Sequence, residues 1–257
     1  MHEKYERILL TGGSGKLGQT IRNSGLFPSL LAPSREALDL RKPASIKKYF
    51  KENDMDAVIH CAALARIAGC EENPVEAIET NIIGTSHLVK ETILKENKSS
   101  SRVRFIYIST DGVYPGIRGH YSEQDAVFPY SHYGWTKLGA ECAVHLLPNF
   151  CIIRTSFFDP RDIKFDRSAA DIYNSKMRIE ELVKAIRFLV ESDFVGTINI
   201  GSDRESDYNR YRKFKPELIP CPREEIFRAV PFKMASDSSL DISLWKSITQ
   251  SHPSIHA

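Results

Sequence analysis

Apolar and polar positions form two patterns along the chain, one typical of strands and one typical of helices. Short apolar runs bounded by turn residues, typical of buried β-strands, lie at residues 7–12, 29–34, 56–63, 103–110 and 150–156. Segments of helical length lie between them, at residues 16–25, 43–53, 74–97 and 133–147. Strands and helices that alternate in this order predict a parallel sheet covered on both faces, which is a doubly wound α/β fold.

The alternation of strand and helix patterns breaks down after residue 156. Residues 157–178 show no regular period, and we expect them to cross a substrate cleft. A helix at 179–192 and a strand at 196–202 follow, and we expect the segment 179–202 to return to the main sheet. The predicted organisation is a large α/β domain over residues 1–156 and a smaller C-terminal portion over residues 157–257 that mainly binds substrate.

Composition excludes several classes of function. The 257 residues carry a formal net charge of only +2, which gives no general case for a nucleic-acid partner. No apolar run approaches the roughly 20 residues that a membrane span needs, and the sequence begins without a cleavable apolar segment, so we expect a cytoplasmic protein. Five scattered cysteines indicate reduced thiols, and the histidines show no metal-ligand spacing with them.

A glycine-rich loop follows the first predicted strand. In "TGGSGKLGQ" (11–19), Gly12 or Gly13 combines with Gly15 and Gly18 in the pattern of a dinucleotide-binding turn between a strand and a helix. Glycine lets the backbone approach a pyrophosphate, and the N-terminus of the following helix offers free N–H groups to it. The loop lacks the G-K-[ST] ending of a P-loop. The sequence therefore predicts a Rossmann domain that binds NAD or NADP.

The end of the second predicted strand bears on the choice between the two cofactors. NAD sites usually place an acidic residue there to bind the ribose hydroxyls, whereas this chain has Ser34 and Arg35. A guanidinium suits the 2′-phosphate of NADP, so NADP is favoured over NAD. Glu36 follows directly, and it would reverse the preference if it faced the ribose instead of Arg35.

The segment "PYSHYGWTK" (129–137) holds a tyrosine and a lysine one helical turn apart. "IST" (108–110) precedes it at the end of a predicted central strand, where ligands bind in doubly wound folds. Reduction of a ketone requires a proton for the new alkoxide, and a nearby lysine lowers the pKa of a tyrosine phenol toward neutrality. We therefore expect Tyr133 to deliver the proton, Lys137 to assist it and Thr110 to orient the carbonyl. Tyr211 and Lys215 have the same spacing without this context, and we interpret them as surface residues.

The chain resembles the extended short-chain dehydrogenase/reductase superfamily, and within it the dTDP-4-dehydrorhamnose reductase branch. The resemblance covers nearly the whole sequence. The segments that carry it are "TGGSGKLGQ", "ALDL" (37–40), "HCAA" (60–63), "NIIGT" (81–85), "ISTDGVYPG" (108–116), "PYSHYGWTK", "CIIRTSFF" (151–158), "TINIGS" (197–202) and "ASDSSLDISLWKSI" (235–248).

The resemblance implies reduction of a nucleotide-activated 4-keto-6-deoxy sugar, with Thr110, Tyr133 and Lys137 as the catalytic triad. The cofactor-binding residues that it implies are Gly12, Ser14, Gly15, Lys16, Leu17, Ser34, Arg35, Asp39, Leu40, Cys61, Ala62, Ala63, Asn81, Tyr133, Lys137 and Thr155. The expected substrate-binding residues are Thr110, Asp111 and Arg204, the last because it closely follows the strand "TINIGS" within a basic stretch that is otherwise solvated. Helices near 74–97 and 133–147 pair subunits in many superfamily members, so a homodimer is an expectation.

Two alternatives to simple reduction remain open at this stage. Dehydratases of the superfamily carry Asp-Glu after the catalytic threonine, and GDP-sugar epimerase–reductases carry a cysteine just before the "Y-P" of the same segment. Gly112 stands at both positions, which argues against dehydration and epimerisation. Some relatives of this branch are regulatory subunits of another enzyme, and the presence of all three catalytic residues argues against that reading. The sugar and the nucleotide base are not determined by the sequence.

Overall fold

The computed structural model describes residues 4–99 and 101–250. Strands β1 to β12 are Ile8–Thr11, Leu30–Leu31, Ala57–His60, Arg104–Ile108, Phe150–Thr155, Phe157–Phe158, Arg167–Ala169, Tyr173–Asn174, Met177–Arg178, Gly196–Ile200, Glu205–Ser206 and Ile219–Cys221. Helices α1 to α10 are Lys16–Asn23, Pro43–Glu52, Ile67–Glu72, Pro74–Ala77, Gly84–Ser99, His132–Val144, Ile179–Glu191, Asp207–Arg212, Arg223–Arg228 and Ser243–Gln250.

Six of the strands form one parallel sheet in the order β2-β1-β3-β4-β5-β10. The chain leaves β1 toward β2 on one side and returns to β3 on the other, so the strand order reverses between β1 and β3. Ligands of doubly wound folds bind at the carboxyl ends of the strands beside such a reversal. The predicted Rossmann-like α/β fold is confirmed, and this crevice is where the glycine loop lies.

Both faces of the sheet are covered by helices, which is why its strands are almost continuously apolar. Along β1, Leu10 points into a core that includes Ile21 of α1 and Ile186 of α7. Its neighbour Leu9 points into the opposite core, which includes Leu88 of α5. Side chains of a strand alternate between faces, so β1 anchors two separate hydrophobic layers.

The long helical segment predicted at 74–97 is interrupted. Helix α4 continues into a π-helix over Ile78–Ile83 and then into α5. A π-helical turn carries an extra residue per turn and often marks a functional site, because it redirects side chains within a helix. Helix α3 is not anticipated by the sequence analysis, and the strand expected at 29–34 is reduced to Leu30–Leu31.

Residues 157–178 form several strands of two or three residues rather than regular layers. They pair locally: β6 with β9, β7 with β12, and β8 with β11. Helix α7 then packs against α1 and β4, and β10 extends the main sheet beside β5. The division of function at residue 156 stays a prediction. In the part of the chain described, no helix is both long enough and apolar enough to cross a membrane.

Candidate active site

The glycine loop between β1 and α1 forms a tight cradle. Gly12 has φ +73°, and a Cβ at this position would lie 2.6 Å from the backbone nitrogen of Ala62 at the end of β3. A Cβ on Gly18 would lie 2.2 Å from the carbonyl oxygen of Gly12. Both positions therefore require glycine, the first also because L side chains rarely adopt positive φ. Gly15 caps α1, so the helix N-terminus faces the crevice, as a pyrophosphate site requires.

A cavity of about 260 Å³ begins at this loop and extends toward the second strand. Nine of the predicted cofactor residues line it: Gly12, Ser14, Gly15, Arg35, Asp39, Leu40, Cys61, Ala62 and Ala63. Its shape and its glycine floor fit the adenosine and pyrophosphate half of a dinucleotide. Ser34 is exposed and is not among the lining residues of this cavity.

Two charged residues of this cavity were missed by the sequence analysis. The guanidinium of Arg41 donates to both carboxylate oxygens of Asp39, at 3.3 and 3.2 Å, and holds the pKa of that carboxyl below its usual value. Oε1 of Glu76 lies 3.8 Å from a guanidinium nitrogen of Arg41 and 3.8 Å from one of Arg35. Arg41 follows the "ALDL" segment directly, so its basic charge beside Arg35 is the signal that could have identified it.

Asn81, predicted to bind the cofactor, makes its side-chain hydrogen bonds to protein groups. It lies in the π-helix, where Oδ1 accepts a hydrogen bond from the Leu64 backbone at 2.8 Å. Nδ2 donates to the Leu64 carbonyl at 3.1 Å and to Oγ1 of Thr136 at 2.9 Å. Asn81 is buried and lines neither of the two cavities at the crevice, so it fixes the loop after β3 against α6.

A second cavity of about 500 Å³ continues from the glycine loop across the ends of β4 and β5. The predicted residues that line it are Gly12, Gly15, Lys16, Leu17, Cys61, Ala63, Thr110, Asp111, Tyr133, Lys137 and Thr155. The buried hydroxyl of Thr155 has no hydrogen-bond partner in the described part of the chain, so a polar group of a bound ligand would satisfy it. The residues present therefore fit a nicotinamide cofactor that spans both cavities.

Thr110 and Asp111 follow the central strand β4, and they cap and begin a short 3₁₀ turn. Oγ1 of Thr110 accepts from the Gly112 backbone at 3.0 Å and donates to Oδ1 of Asp111 at 3.2 Å. The other carboxylate oxygen of Asp111 accepts from the hydroxyls of Ser156, at 2.9 Å, and Ser238, at 2.8 Å. Burial nevertheless raises the pKa of Asp111, because desolvation disfavours its charged form.

Helix α6 presents Tyr133 and Lys137 to the same cavity. The Ser131 side chain caps the helix by accepting from the Gly134 backbone, so both residues lie in its first turns. Burial lowers the pKa of Lys137 from 10.5 to about 7. Its ammonium lies 4.0 Å from the centroid of the Tyr107 ring. The spacing of Tyr133 and Lys137 predicted a lowered pKa for Tyr133, whereas burial and the Asp111 carboxylate raise it and the Thr110 hydroxyl opposes them.

A buried ion pair lies beneath the triad and was not identified from the sequence. The carboxylate of Glu141, one turn after Lys137, receives two hydrogen bonds from Arg154, at 3.2 and 2.8 Å. It also accepts from Ser109, the neighbour of Thr110, at 2.5 Å. One carboxylate therefore joins α6, which carries Tyr133 and Lys137, to the carboxyl ends of β4 and β5.

The far wall of the second cavity contains charges from the C-terminal portion. Nζ of Lys176 donates to Asp207 at 3.0 Å and to the hydroxyl of Tyr211 at 3.1 Å. Arg204, the cation predicted for this role, lines neither cavity at the crevice. It donates to Asp237 at 2.8 Å and stacks 3.7 Å from the centroid of the Tyr173 ring. Residues 157–178 have no regular pattern, so no local signal identified Lys176.

Potential metal ligands do not cluster in the residues that the structure describes: no group of three or more His, Cys, Asp or Glu side chains could hold a metal ion. Lys215 donates to Asp166 at 2.7 Å and to the Phe165 carbonyl at 2.9 Å. Tyr211, its partner in the second Tyr/Lys pair of the sequence, instead accepts from Lys176. The two members of that pair therefore have different partners, and the interpretation of Tyr211 as a surface residue was wrong, because it is buried.

Comparisons with known proteins agree with this architecture. The chain is 30% identical to a dTDP-4-dehydrorhamnose reductase of Mycobacterium tuberculosis over 167 residues, 61% of this chain and 52% of the relative. It is also 30% identical to methionine adenosyltransferase 2 subunit beta of Xenopus tropicalis over 182 residues, 67% of this chain and 53% of the relative. The chain thus spans about half the length of the curated relatives that it matches.

A solved structure supports the fold independently. The dTDP-4-dehydrorhamnose reductase of Bacillus anthracis in complex with NADP superposes with a TM-score of 0.83 at 21% identity, covering 96% of this chain and 93% of the other. The profile of the RmlD substrate binding domain matches residues 6–167, which include the glycine loop and all three predicted catalytic residues. The resemblance found in the sequence is confirmed, and the chain belongs to the RmlD substrate binding domain family.

Proposed function

We propose that this protein reduces the 4-keto group of a nucleotide-activated deoxy sugar with NADPH, as part of deoxysugar or surface polysaccharide biosynthesis. The observation that carries the proposal is the second cavity, where Thr110, Tyr133 and Lys137 meet the glycine cradle. The relatives named dTDP-4-dehydrorhamnose reductase support the same reaction class.

The residues have separate tasks in this reaction. A bound nicotinamide cofactor would supply the hydride. The Thr110 hydroxyl donates a hydrogen bond to the substrate carbonyl, which requires it to turn away from Asp111. Tyr133 donates its proton to the oxygen as negative charge develops there. The charged form of Lys137 stabilises the phenolate that remains.

Preference for NADPH over NADH is part of the proposal. Arg35 and Arg41 line the adenosine cavity, and their guanidiniums approach the same oxygen of Glu76. Two guanidiniums around one anionic oxygen are an arrangement that suits a 2′-phosphate, since Arg binds phosphate oxygens well. The Glu76 carboxylate would have to move away from the two guanidiniums when that phosphate binds.

Simple reduction is the reaction type that we propose. Gly112 has no side chain with which to move a second proton, and Asp111 keeps the hydroxyl groups of Ser156 and Ser238 as partners when Thr110 turns to the substrate. Solvent deuterium at C3 or C5 of the product, or loss of a hydroxyl group by mass spectrometry, would show instead that the protein catalyses epimerisation or dehydration.

The test is a screen of dTDP-, GDP-, UDP- and CDP-linked 4-keto sugars for oxidation of NADPH, followed at 340 nm as an absorbance decrease. We expect turnover with at least one of them and none with the Tyr133→Phe variant. Absence of turnover with all four, although NADPH binds, would reject the reductase assignment.

A regulatory subunit is the second candidate, because one relative is named methionine adenosyltransferase 2 subunit beta. A protein of that kind would bind a dinucleotide without consuming it, so the same screen separates the two functions. A homodimer and a cytoplasmic location remain predictions from the sequence, and sedimentation analysis of the purified protein tests the first.

A further inference from the structure

A second tyrosine, Tyr130, faces the cavity that contains Tyr133. Its hydroxyl makes no hydrogen bond to the part of the chain that the structure describes, residues 4–99 and 101–250. Tyr114 and Tyr211, by contrast, use their hydroxyls in hydrogen bonds with protein groups. The Tyr130 phenol is therefore free to bind a ligand.

Two glycines make room for the Tyr130 ring. A Cβ on Gly116 would lie 3.1 Å from each of Cδ1 and Cε1 of the ring and only 2.5 Å from Cβ of Ala235. Gly116 also has φ +71°, which other residues rarely adopt. A Cβ on Gly112 would lie 3.8 Å from the Tyr130 hydroxyl oxygen. The segment "GVYPG" thus forms a slot for the Tyr130 ring. Gly116 lies against the edge of the ring, and Gly112 leaves space beside the Tyr130 hydroxyl.

The space beside Gly112 is shared with the catalytic threonine. The point where a Cβ would stand is 3.3 Å from Oγ1 of Thr110 and 3.8 Å from the Tyr130 hydroxyl oxygen. Two hydroxyl groups therefore converge on one small volume. Adjacent oxygens on a sugar ring are spaced closely enough to contact both at once.

The charges around Tyr130 keep its phenol protonated. Burial and the Asp111 carboxylate raise its pKa, and the smaller effect of the Lys176 ammonium opposes them. Asp111 already accepts from the hydroxyls of Ser156 and Ser238, and both bonds remain when Thr110 turns to the substrate. A protonated phenol with no partner is a hydrogen-bond donor, and its natural acceptor in this cavity is a hydroxyl oxygen of the substrate.

We propose that Tyr130 is a specificity residue that donates a hydrogen bond to the hydroxyl on the carbon next to the reacting carbonyl. The site then prefers keto sugars that retain this hydroxyl over those in which it has been replaced by hydrogen. This inference rests on the proposed function, because it needs a keto-sugar substrate in the second cavity.

The test compares wild type with Tyr130→Phe on two substrates: the active keto-sugar nucleotide and its analogue with hydrogen in place of the neighbouring hydroxyl. One lost hydrogen bond should lower kcat/KM of the variant roughly threefold to tenfold with the hydroxylated substrate, mainly through KM. The two proteins should be equal with the analogue. Tyr208→Phe is the matched control, because Tyr208 contacts Arg212 and lines neither cavity at the crevice.

NADPH affinity, measured by fluorescence titration, shows whether Tyr130→Phe is folded, and we expect it to be unchanged. An equal loss with both substrates, or no loss with either, would overturn the role of Tyr130 while leaving the reductase function intact. A wild type that neither binds nor reduces any keto-sugar nucleotide would overturn both, so the two failures are distinguishable.

Discussion

Replacement of Lys137 by methionine should stabilise the protein while it abolishes turnover. Lys137 is 2% exposed, and burial lowers its pKa from 10.5 to about 7. Each pKa unit corresponds to about 1.4 kcal/mol, so the charged lysine destabilises the folded state by about 5 kcal/mol at pH values below 7. Methionine has similar length and no charge. Glu141 keeps its partner in the variant, because Arg154 binds both of its oxygens.

The direction of the pH dependence follows from proton binding. Between pH 7 and pH 10.5 the unfolded chain holds a proton on Lys137 that the folded protein has lost, so wild-type stability rises with pH in this window. The penalty is fully present below pH 7 and disappears above pH 10.5. The stability advantage of Lys137→Met should therefore be about 5 kcal/mol at pH 6 and much smaller at pH 9.5.

Urea unfolding followed by circular dichroism at pH 6, 8 and 9.5 measures this difference. Lys47→Met serves as the control, because Lys47 is exposed on α2 and its replacement should give a small change that is the same at each pH. A constant difference between wild type and Lys137→Met over this range would refute the argument, since it would mean that Lys137 titrates alike in the folded and unfolded chains.

Three further substitutions test the site. Tyr133→Phe should reduce turnover at least a hundredfold and leave NADPH affinity unchanged in a fluorescence titration, because only the proton donor is lost; near-normal turnover would remove Tyr133 from the mechanism. Arg35→Ala should weaken NADPH binding about tenfold and NADH binding little, since only NADPH has a 2′-phosphate; equal losses would show that Arg35 does not contact it. Glu141→Gln should lower the free energy of unfolding in urea by about 3 to 5 kcal/mol, because Arg154 would keep a buried charge without its partner; a change below 1 kcal/mol would mean that water reaches the pair.

The local sequence pattern was sufficient to predict the architecture of the main sheet. The apolar runs at the positions of β1, β3, β4, β5 and β10 are bounded by turn residues, and a run buried on both faces allows few structures other than a parallel strand. The glycine loop could be predicted equally well, because the positive φ of Gly12 and the close approach of Gly18 to the Gly12 carbonyl both belong to one strand–turn–helix unit. The spacing of Tyr133 and Lys137 is likewise a property of a single helix.

Contacts between residues that are distant in the sequence determined the features of the site that no local sequence pattern could predict. Helix α6 and strands β4 and β5 are brought together by Glu141, Arg154 and Ser109, which are far apart in sequence. Asn81 was assigned to the cofactor from its motif, yet its hydrogen bonds go to Leu64 and Thr136 because a π-helix directs its side chain there.

The charge states of the site residues also depend on long-range packing, because packing sets how deeply each side chain is buried. The pKa of Lys137 is about 7 and that of Tyr133 is raised because both are desolvated by residues from several elements, and no spacing in the sequence records the depth of a side chain. The same holds for the far wall of the second cavity, which is lined by Lys176 and not by Arg204. The sequence determined which groups the protein has for its chemistry, and the tertiary structure determined which of them meet and in what state of charge.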